Sequence, residues 1–215
     1  MSIPALIYVV SASQGLPVIA VALVGGRQPS ASQKRLAIMG SVLVFGDALS
    51  ALATALYHYN LWIQWFMMPL EMLMTLWILA SWHGPRFRRV YATAGVMVGV
   101  LVGLFLTLPD RSRIFEQWLA PVIALVALVA TVHTLVLLSV RSFAPLTRED
   151  WFWVCIGLAL FWLMYVPIAP FADALVGSNT DWVMTAYIAR AWVCLFSFIL
   201  MSWGVVCPRV LTRSS

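Results

Sequence analysis

Three charged residues inside apolar segments are the part of this chain whose chemistry has to be explained first. Asp47, Glu71 and Arg190 each lie well within a long apolar run. An ionised side chain at the centre of a membrane helix costs about 2.5–3.5 kcal/mol, so such residues face a partner or a wet cavity. Two carboxylates and one guanidinium leave one excess negative charge, which a protonated acid, a metal ion or a cationic ligand would balance. We therefore predict a site for a small ligand, an ion or a proton at these residues.

Polar residues surround the two acids at helical spacing. Steps of three, four and seven residues place each set on one stripe of a single helix. The first stripe comprises Asp47, Ser50, Thr54 and His58, and the second comprises Asn60, Gln64, Glu71 and Thr75. The binding residues that we predict are Asp47, Glu71, Arg190, Asn60, Gln64, Ser50, Thr54, Tyr165 and Tyr187, with Trp65, Tyr165 and Trp192 as aromatic lining.

Two other interpretations of the same charges stay open. In the first, Glu71 and Arg190 form a buried ion pair that only fixes helix packing, and a neutral Asp47 is hydrogen-bonded to serine or threonine hydroxyls. In the second, the three residues do not contact one another. Both interpretations would leave the chain without a ligand at this depth.

Signatures of catalysis and of cofactor binding are missing from the sequence. The chain contains no H-E-x-x-H, no histidines four residues apart, and no G-x-S-x-G elbow with a plausible base. We expect the three histidines, His58, His83 and His133, at different depths, so we predict no metal site. Retinal would need a lysine in the last span, and no lysine lies within a span. We predict no catalytic residue and no cofactor, and the sequence favours a protein that is not an enzyme.

The elements that must position these side chains are apolar segments of membrane-spanning length. The chain is 63% hydrophobic and only 10% charged, with a mean hydropathy of +0.95. A helix needs about 20 residues to cross about 30 Å of hydrocarbon. The sequence predicts an all-α polytopic membrane protein, a single domain of seven transmembrane helices in one bundle. The predicted spans are residues 3–24, 36–57, 61–82, 90–108, 117–140, 151–171 and 182–206.

The basic residues predict the orientation of the bundle. Most of the 13 lie in the odd-numbered loops and the tail, namely Arg27, Lys34, Arg35, Arg86, Arg88, Arg89, Arg141, Arg148, Arg209 and Arg213. The positive-inside rule then predicts an external N-terminus and a cytoplasmic C-terminus in a bacterial inner membrane. Because topology accounts for the net charge of +5, we expect no nucleic-acid partner.

Glycines and prolines predict where helices pack closely or bend. Gly95, Gly99 and Gly103 form a small-residue face, which favours packing within the bundle or against a second protomer or another membrane protein. Pro17 predicts a kink in the first span. Overlaying spans two and three on spans six and seven matches Glu71 with Arg190. Such a duplication would give a three-plus-one-plus-three architecture, as in some transporters.

The stretch Asn60-Leu61-Trp62-Ile63 through Glu71, preceded by a small-polar second span and a proline-bearing first span, resembles a group of small bacterial seven-span proteins of unknown function. In that group an N-x-W/L…E motif lies in the third span, and some members are fused to or lie near sensor histidine kinases. The resemblance covers about the first 85 residues. It implies a membrane sensory or ligand-binding module, and signalling would need a separate partner because this chain has no kinase domain.

Three functions therefore follow as hypotheses. The first is a module in the membrane that senses or binds a small ligand, an ion or a proton. The second is a small-solute transporter of the three-plus-one-plus-three kind. The third is a structural subunit or assembly factor of a membrane complex, with lipid and partner contacts through its exposed faces.

Overall fold

The computed structural model of the chain describes residues 3–24, 29–58, 61–107, 118–143, 145–165 and 180–207. These residues form an all-α protein with several membrane spans. Five of the described helices are long and apolar enough to cross a membrane. Two shorter apolar helical segments, Tyr8–Leu23 and Asp150–Leu163, coincide with the first and sixth predicted spans.

The described helices follow the predicted segments in order. They are α1 (Ile3–Ser13), α2 (Leu16–Leu23), α3 (Ala31–Tyr57), α4 (Leu61–Leu79), α5 (Pro85–Phe105), α6 (Ala120–Arg141), α7 (Asp150–Leu163) and α8 (Thr180–Val206), with short 3-10 helices at Ala80–Trp82 and Leu146–Arg148.

Two helices begin earlier in the sequence than the membrane spans predicted for them. The sequence predicts a span from residue 36, but α3 begins at Ala31, because the Ser30 and Gln33 side chains form a capping box there. Similarly α5 begins at Pro85 rather than at residue 90, since proline is well suited to the first turn of a helix. The arginines that the sequence analysis assigned to these loops therefore lie near the starts of α3 and α5.

The first span is broken, as Pro17 predicts. Helix α1 ends at Ser13 and α2 begins at Leu16, with Pro17 in its first turn. A Cβ at Gly40 of α3 would lie 2.7 Å from the Gln14 carbonyl oxygen. Glycine at this position lets α3 approach the backbone of the break closely.

The helices contact one another in a closed order. Helices α1 and α2 contact α8, which packs along α7, and α7 in turn packs on α6. Helix α6 contacts α4, α4 contacts α3, and α3 returns to α2. Helix α5 lies outside this ring, packed mainly on α4 with few contacts to α6.

Glycines bring α7 and α8 into backbone contact. A Cβ at Gly157 would lie 2.7 Å from the Ser197 carbonyl oxygen, and one at Gly204 would lie 2.8 Å from the Asp150 carbonyl oxygen. Small residues allow such close approach of helices in lipid. The predicted glycine face on α5 is arranged differently. Gly95 packs against Leu73, whereas Gly99 and Gly103 are exposed, with no described atom within 4 Å of a Cβ at either position.

Basic residues collect at one end of the ring. Arg35 of α3 donates to the Trp77 carbonyl oxygen near the end of α4, and its guanidinium lies 4.7 Å above the Trp77 ring. Arg88 of α5 donates to the carbonyl oxygens of Ala80 and His83 at 3.1 and 3.0 Å. These contacts place the starts of α3 and α5 beside the end of α4.

Candidate functional site

The first candidate site lies where α4 meets the break in the first span and α8. Glu71 of α4 is 7% exposed. Its carboxyl interacts electrostatically with Arg190 of α8 and with Asp47 of α3. Glu71 therefore lies within electrostatic range of the other two charged residues on which the predicted site depends.

Asp47 is held by the broken first span. The Ser11 hydroxyl donates to Asp47 Oδ2 at 2.5 Å, and Gln14 Nε2 donates to the same oxygen at 3.0 Å. Two donors on one oxygen suit an ionised carboxylate, which only accepts hydrogen bonds. Gln14 stands at the break between α1 and α2, so the break positions this donor against α3.

Two buried oxygens near this cluster have no donor. Glu71 Oε2 and Gln14 Oε1 are both buried without a hydrogen-bond partner among the described residues. Buried polar atoms in folded proteins are nearly always paired, with protein groups or with water. Both orphans are acceptors, so the species that would satisfy them carries a proton to donate or a positive charge.

Arg190 lies against an aromatic ring rather than in open lipid. Its guanidinium carbon is 4.3 Å from the centroid of Tyr165, directly after the end of α7. Tyr165 also packs on Phe161 and Trp162 of α7. A cation over an aromatic face is stabilised by the ring quadrupole. The position of Arg190 is therefore coupled to the end of α7.

A hydrogen bond between helices lies one turn below Glu71. Trp162 Nε1 donates to Thr75 Oγ1 at 3.0 Å, and Thr75 Oγ1 donates to the Glu71 carbonyl oxygen at 2.9 Å. Both Trp162 and Thr75 are fully buried. The backbone of α4 at Glu71 is thus tied to α7 as well as to α8.

Pro69 adds a backbone acceptor near the same site. It is buried inside α4, two residues before Glu71. Because proline has no N–H, the Trp65 carbonyl oxygen lacks the hydrogen bond that a helix normally supplies four residues later. The sequence-based prediction considered only polar side chains, so it did not include the carbonyl oxygen that this proline leaves without its helical hydrogen bond.

Several predicted binding residues do not join the cluster. Thr54 and Gln64 are exposed, and Thr54 Oγ1 donates within its own helix to the Ser50 carbonyl oxygen. Ser50 itself is half-buried. Asn60 and the Tyr187 side chain lie outside the described residues. Of the aromatic lining, Tyr165 lies in the cluster, Trp65 packs on Phe105 and Trp192 is 44% exposed.

A second buried polar network lies near the basic end, between α4, α5 and α6. Tyr91 OH lies 2.8 Å from Thr134 Oγ1 and 3.1 Å from His133 Nδ1, and His83 Nε2 lies 2.9 Å from Thr134 Oγ1. Thr134 donates its own proton to the Ala130 carbonyl oxygen at 2.9 Å. The assignment that places a proton in each of these contacts has His83 Nε2 and Tyr91 OH donate to Thr134 Oγ1, and His133 Nδ1 donate to Tyr91 OH.

This network corrects the expectation of different depths for His83 and His133, whereas His58 lies at the other end of α4, after the end of α3. The rings of His83 and His133 stack with centroids 6.0 Å apart. Burial lowers the pKa of His83 below its usual value, and the nearby His133 and Arg141 lower it further. His83 Nδ1 is buried without a partner among the described residues. Its neighbourhood therefore favours the neutral imidazole.

The donor groups present do not form a metal centre within the described part of the chain, where no group of three or more histidine, cysteine, aspartate or glutamate side chains is suitably placed. The three cysteines are free thiols, two of them buried. What the Glu71 cluster offers chemically is a carboxyl that can exchange a proton or pair with a cation, next to a fixed guanidinium.

Sequence reasoning missed the groups that hold Asp47 and the second network. Ser11 and Gln14 are separated from Asp47 by more than thirty residues, at 36 and 33 positions respectively. Neither residue is among the predicted binding residues. His83 and His133 lie on different elements, and Tyr91 was expected at the very start of its helix.

Comparisons with known proteins add no relative to this description. No protein-family model matches the chain, and searches of the curated proteins and of the solved structures find no significant match. The chain is therefore described from its own residues as an all-α, multi-pass membrane protein with two buried polar clusters.

Proposed function

We propose that this protein is a sensing or binding module of the bacterial inner membrane, and that its site at Glu71 takes up a proton or a small cationic ligand. The bundle would have seven spans, with the N-terminus outside and the C-terminus cytoplasmic. One observation carries the proposal: the buried Glu71 carboxyl has an oxygen without a partner among the described residues.

Charge supports a positive or proton-donating occupant. Asp47 accepts two hydrogen bonds, and Arg190 supplies one positive charge against two carboxyls. One further positive charge would neutralise the cluster, and a buried cluster is stabilised by neutrality. The two orphan acceptors, Glu71 Oε2 and Gln14 Oε1, would receive the donors of that occupant.

A mechanism for sensing follows from the contacts of Arg190. When Glu71 gains a proton, its attraction for Arg190 weakens. Arg190 lies on Tyr165 at the end of α7, so a change at Glu71 alters the stacking there. Proton uptake would in this way bias the end of α7, as a change of local charge does in known switches. The weak resemblance to proteins associated with histidine kinases agrees with a signalling partner.

The test is a pH titration of the purified protein in lipid nanodiscs, followed by infrared difference spectroscopy. We expect a carboxyl C=O band whose intensity depends on pH, and we expect Glu71→Gln to remove it. Glu149→Gln makes the same chemical change outside the spans and should keep the band. Repeating the titration with added sodium or ammonium shows whether a cation competes with the proton.

A folded Glu71→Gln protein that titrates like the wild type would refute the proposal. Folding is checked by circular dichroism, because glutamine keeps the size of glutamate and one of its oxygens. The single charge is therefore the main property that the substitution removes.

The broken first span favours a second candidate, a small-solute transporter. Discontinuous helices form substrate sites near the membrane midplane in transporters, and Gln14 at the break contacts Asp47. Uptake of protons into proteoliposomes, coupled to an added solute and lost in Asp47→Asn, would favour this candidate. The exposed Gly99 and Gly103 keep open the third, a subunit that associates with a second protomer or a membrane partner.

A further inference from the structure

A groove lies between α5 and α6, apart from the Glu71 cluster. It has a volume of about 450 Å³ and apolar walls. Its lining includes Phe87, Val90 and Ala94 from α5 and Leu125, Val129 and His133 from α6. Val90, Leu125 and Val129 are about half exposed. Because α5 packs on α4 and only touches α6, the groove stays open on the outer surface of the ring, where lipid lies.

The two ends of the groove differ in polarity. Phe87 and His133 lie at the end where α5 begins, and Ala94 and Leu125 lie about two turns deeper along the two helices. The two polar lining groups, Tyr91 and His133, occur toward the first end, whereas the deeper lining is entirely aliphatic. A molecule with a polar head and an apolar tail would match this gradient.

The polar end of the groove carries positive charge without counter-charge on its own helices. Arg86, Arg88 and Arg89 stand in the first turns of α5, and Arg141 ends α6; all four are exposed. Neither α5 nor α6 contains an aspartate or a glutamate. Arg88 is engaged by carbonyl oxygens of the α4–α5 connection. Arg89 lies two residues after Phe87, on the opposite face of α5 from the groove, so Arg86 and Arg141 are the remaining cations at this end.

His133 adds a polar, exposed side chain at this mouth. Its Nδ1 lies 3.1 Å from Tyr91 OH, so Nε2 is the ring nitrogen that Tyr91 does not occupy. The imidazole ring is polar in either tautomer, so it extends the polar end of the groove.

We propose that this groove binds an anionic phospholipid, with one acyl chain along Val90, Ala94 and Val129 and its phosphate at Arg86 and Arg141. Charge complementarity selects the anionic lipid over a zwitterionic one. The apolar walls select a lipid over a soluble phosphate. This site does not depend on the proposed role of Glu71.

The experiment is native mass spectrometry of the purified protein with phosphatidylglycerol or phosphatidylcholine of identical acyl chains. We expect the wild type to retain the anionic lipid preferentially. The Arg86→Gln, Arg141→Gln double variant should lose roughly fivefold in affinity for each arginine, which corresponds to about 1 kcal/mol for each basic residue at an anionic surface. Phosphatidylcholine binding should change little in that variant.

Lys34→Gln is the matched control, because Lys34 is an exposed basic residue at the same end of the bundle but on α3. It should keep the preference. Ala94→Phe fills the apolar part of the groove and should weaken retention of both lipids. Equal binding of the two lipids by the wild type, or a preference that survives in the double variant, overturns the proposal. The Glu71→Gln protein should retain the preference, so this site and the proposed function fail separately.

Discussion

The α7–α8 pair and the α5–α6 pair differ in how closely their helices pack. Between α7 and α8, glycines bring the backbones together, and Glu71 of the neighbouring cluster is buried. Between α5 and α6, the helices barely touch, and an apolar groove opens beside the His83–Tyr91–Thr134 network. Polar groups are buried on both sides, and the described residues of the α5–α6 side leave room for a lipid-sized molecule.

This difference shows that small residues do not predict close packing on their own. The chain's most regular glycine repeat lies on α5, where two of its three members are exposed. The isolated Gly157 and Gly204 bring the backbones of two helices together instead. Close packing at a glycine requires the backbone of a second helix opposite it, and a regular glycine repeat does not provide that by itself.

The largest expected effect comes from filling the tight side. Gly157→Leu should destabilise the protein by about 3 kcal/mol or more, because the new side chain would overlap the Ser197 carbonyl oxygen and Met201. Gly99→Leu on the open side has no described neighbour to displace and should leave stability nearly unchanged. Equilibrium unfolding in mixed micelles measures both. Similar losses in the two variants would contradict the contrast between the two sides.

An intermediate effect is expected from the hydrogen bond between α4 and α7. Thr75→Val keeps the side-chain volume but leaves Trp162 Nε1 buried without an acceptor, which costs about 1–3 kcal/mol. Thr93→Val on α5 is the matched control. Thr93 donates only within its own helix, to the Arg89 carbonyl oxygen, and it is exposed. Near-UV circular dichroism of Trp162 and the unfolding free energy should change in the first variant only.

The smallest expected effect is a pH dependence from the second network. The folded-state pKa of His83 lies below its usual value of 6.5, because burial and the charges of His133 and Arg141 disfavour the imidazolium. As pH falls below about 6.5, the unfolded chain binds a proton that the folded chain does not bind, so the free energy of unfolding decreases. The decrease ends once pH falls below the folded-state pKa.

Unfolding measured between pH 7.5 and pH 5 should therefore show less acid destabilisation in His83→Gln than in the wild type. The groups that face His83 are Tyr91 from α5 and His133 and Arg141 from α6, and Arg88 binds its carbonyl oxygen. Glutamine can still donate to Thr134. Equal pH slopes in the two proteins would show that His83 does not contribute.

Hydropathy predicted the helical, multi-span character of the chain, and the five long described helices confirm it. The length of an apolar run predicts a helix well because crossing the hydrocarbon demands it. Helix starts were less accurate. The arginines in the first turns of α5 were assigned to a loop, so the predicted span begins five residues after the start of the helix. For the same reason Tyr91 was expected at the membrane edge.

The contacts between helices were harder to predict than the helices. A stripe on one helix does not specify which neighbour it faces, so Ser11 and Gln14 could not be assigned to Asp47 from spacing. The grouping of Glu71 with Asp47 and Arg190 was predicted because buried charges need partners, and Glu71 lies within electrostatic range of both. Neutral histidines do not need a charged partner. The stacking of His83 on His133 depends on how the helices pack, which cannot be read from the sequence.

The connection between α3 and α4 determines the depths of Asp47 and Glu71 relative to each other. Asp47 stands ten residues before Tyr57, the last residue of α3, and Glu71 stands ten residues after Leu61, the first of α4. At 1.5 Å per residue, each carboxyl lies roughly 15 Å from the turn. His58 ends α3 in the left-handed conformation, with φ of 54°. A one-residue insertion within either arm would shift that carboxyl by about 1.5 Å and rotate it by about 100° away from its partners. The equal arms of this hairpin therefore place both acids in the same plane of the membrane.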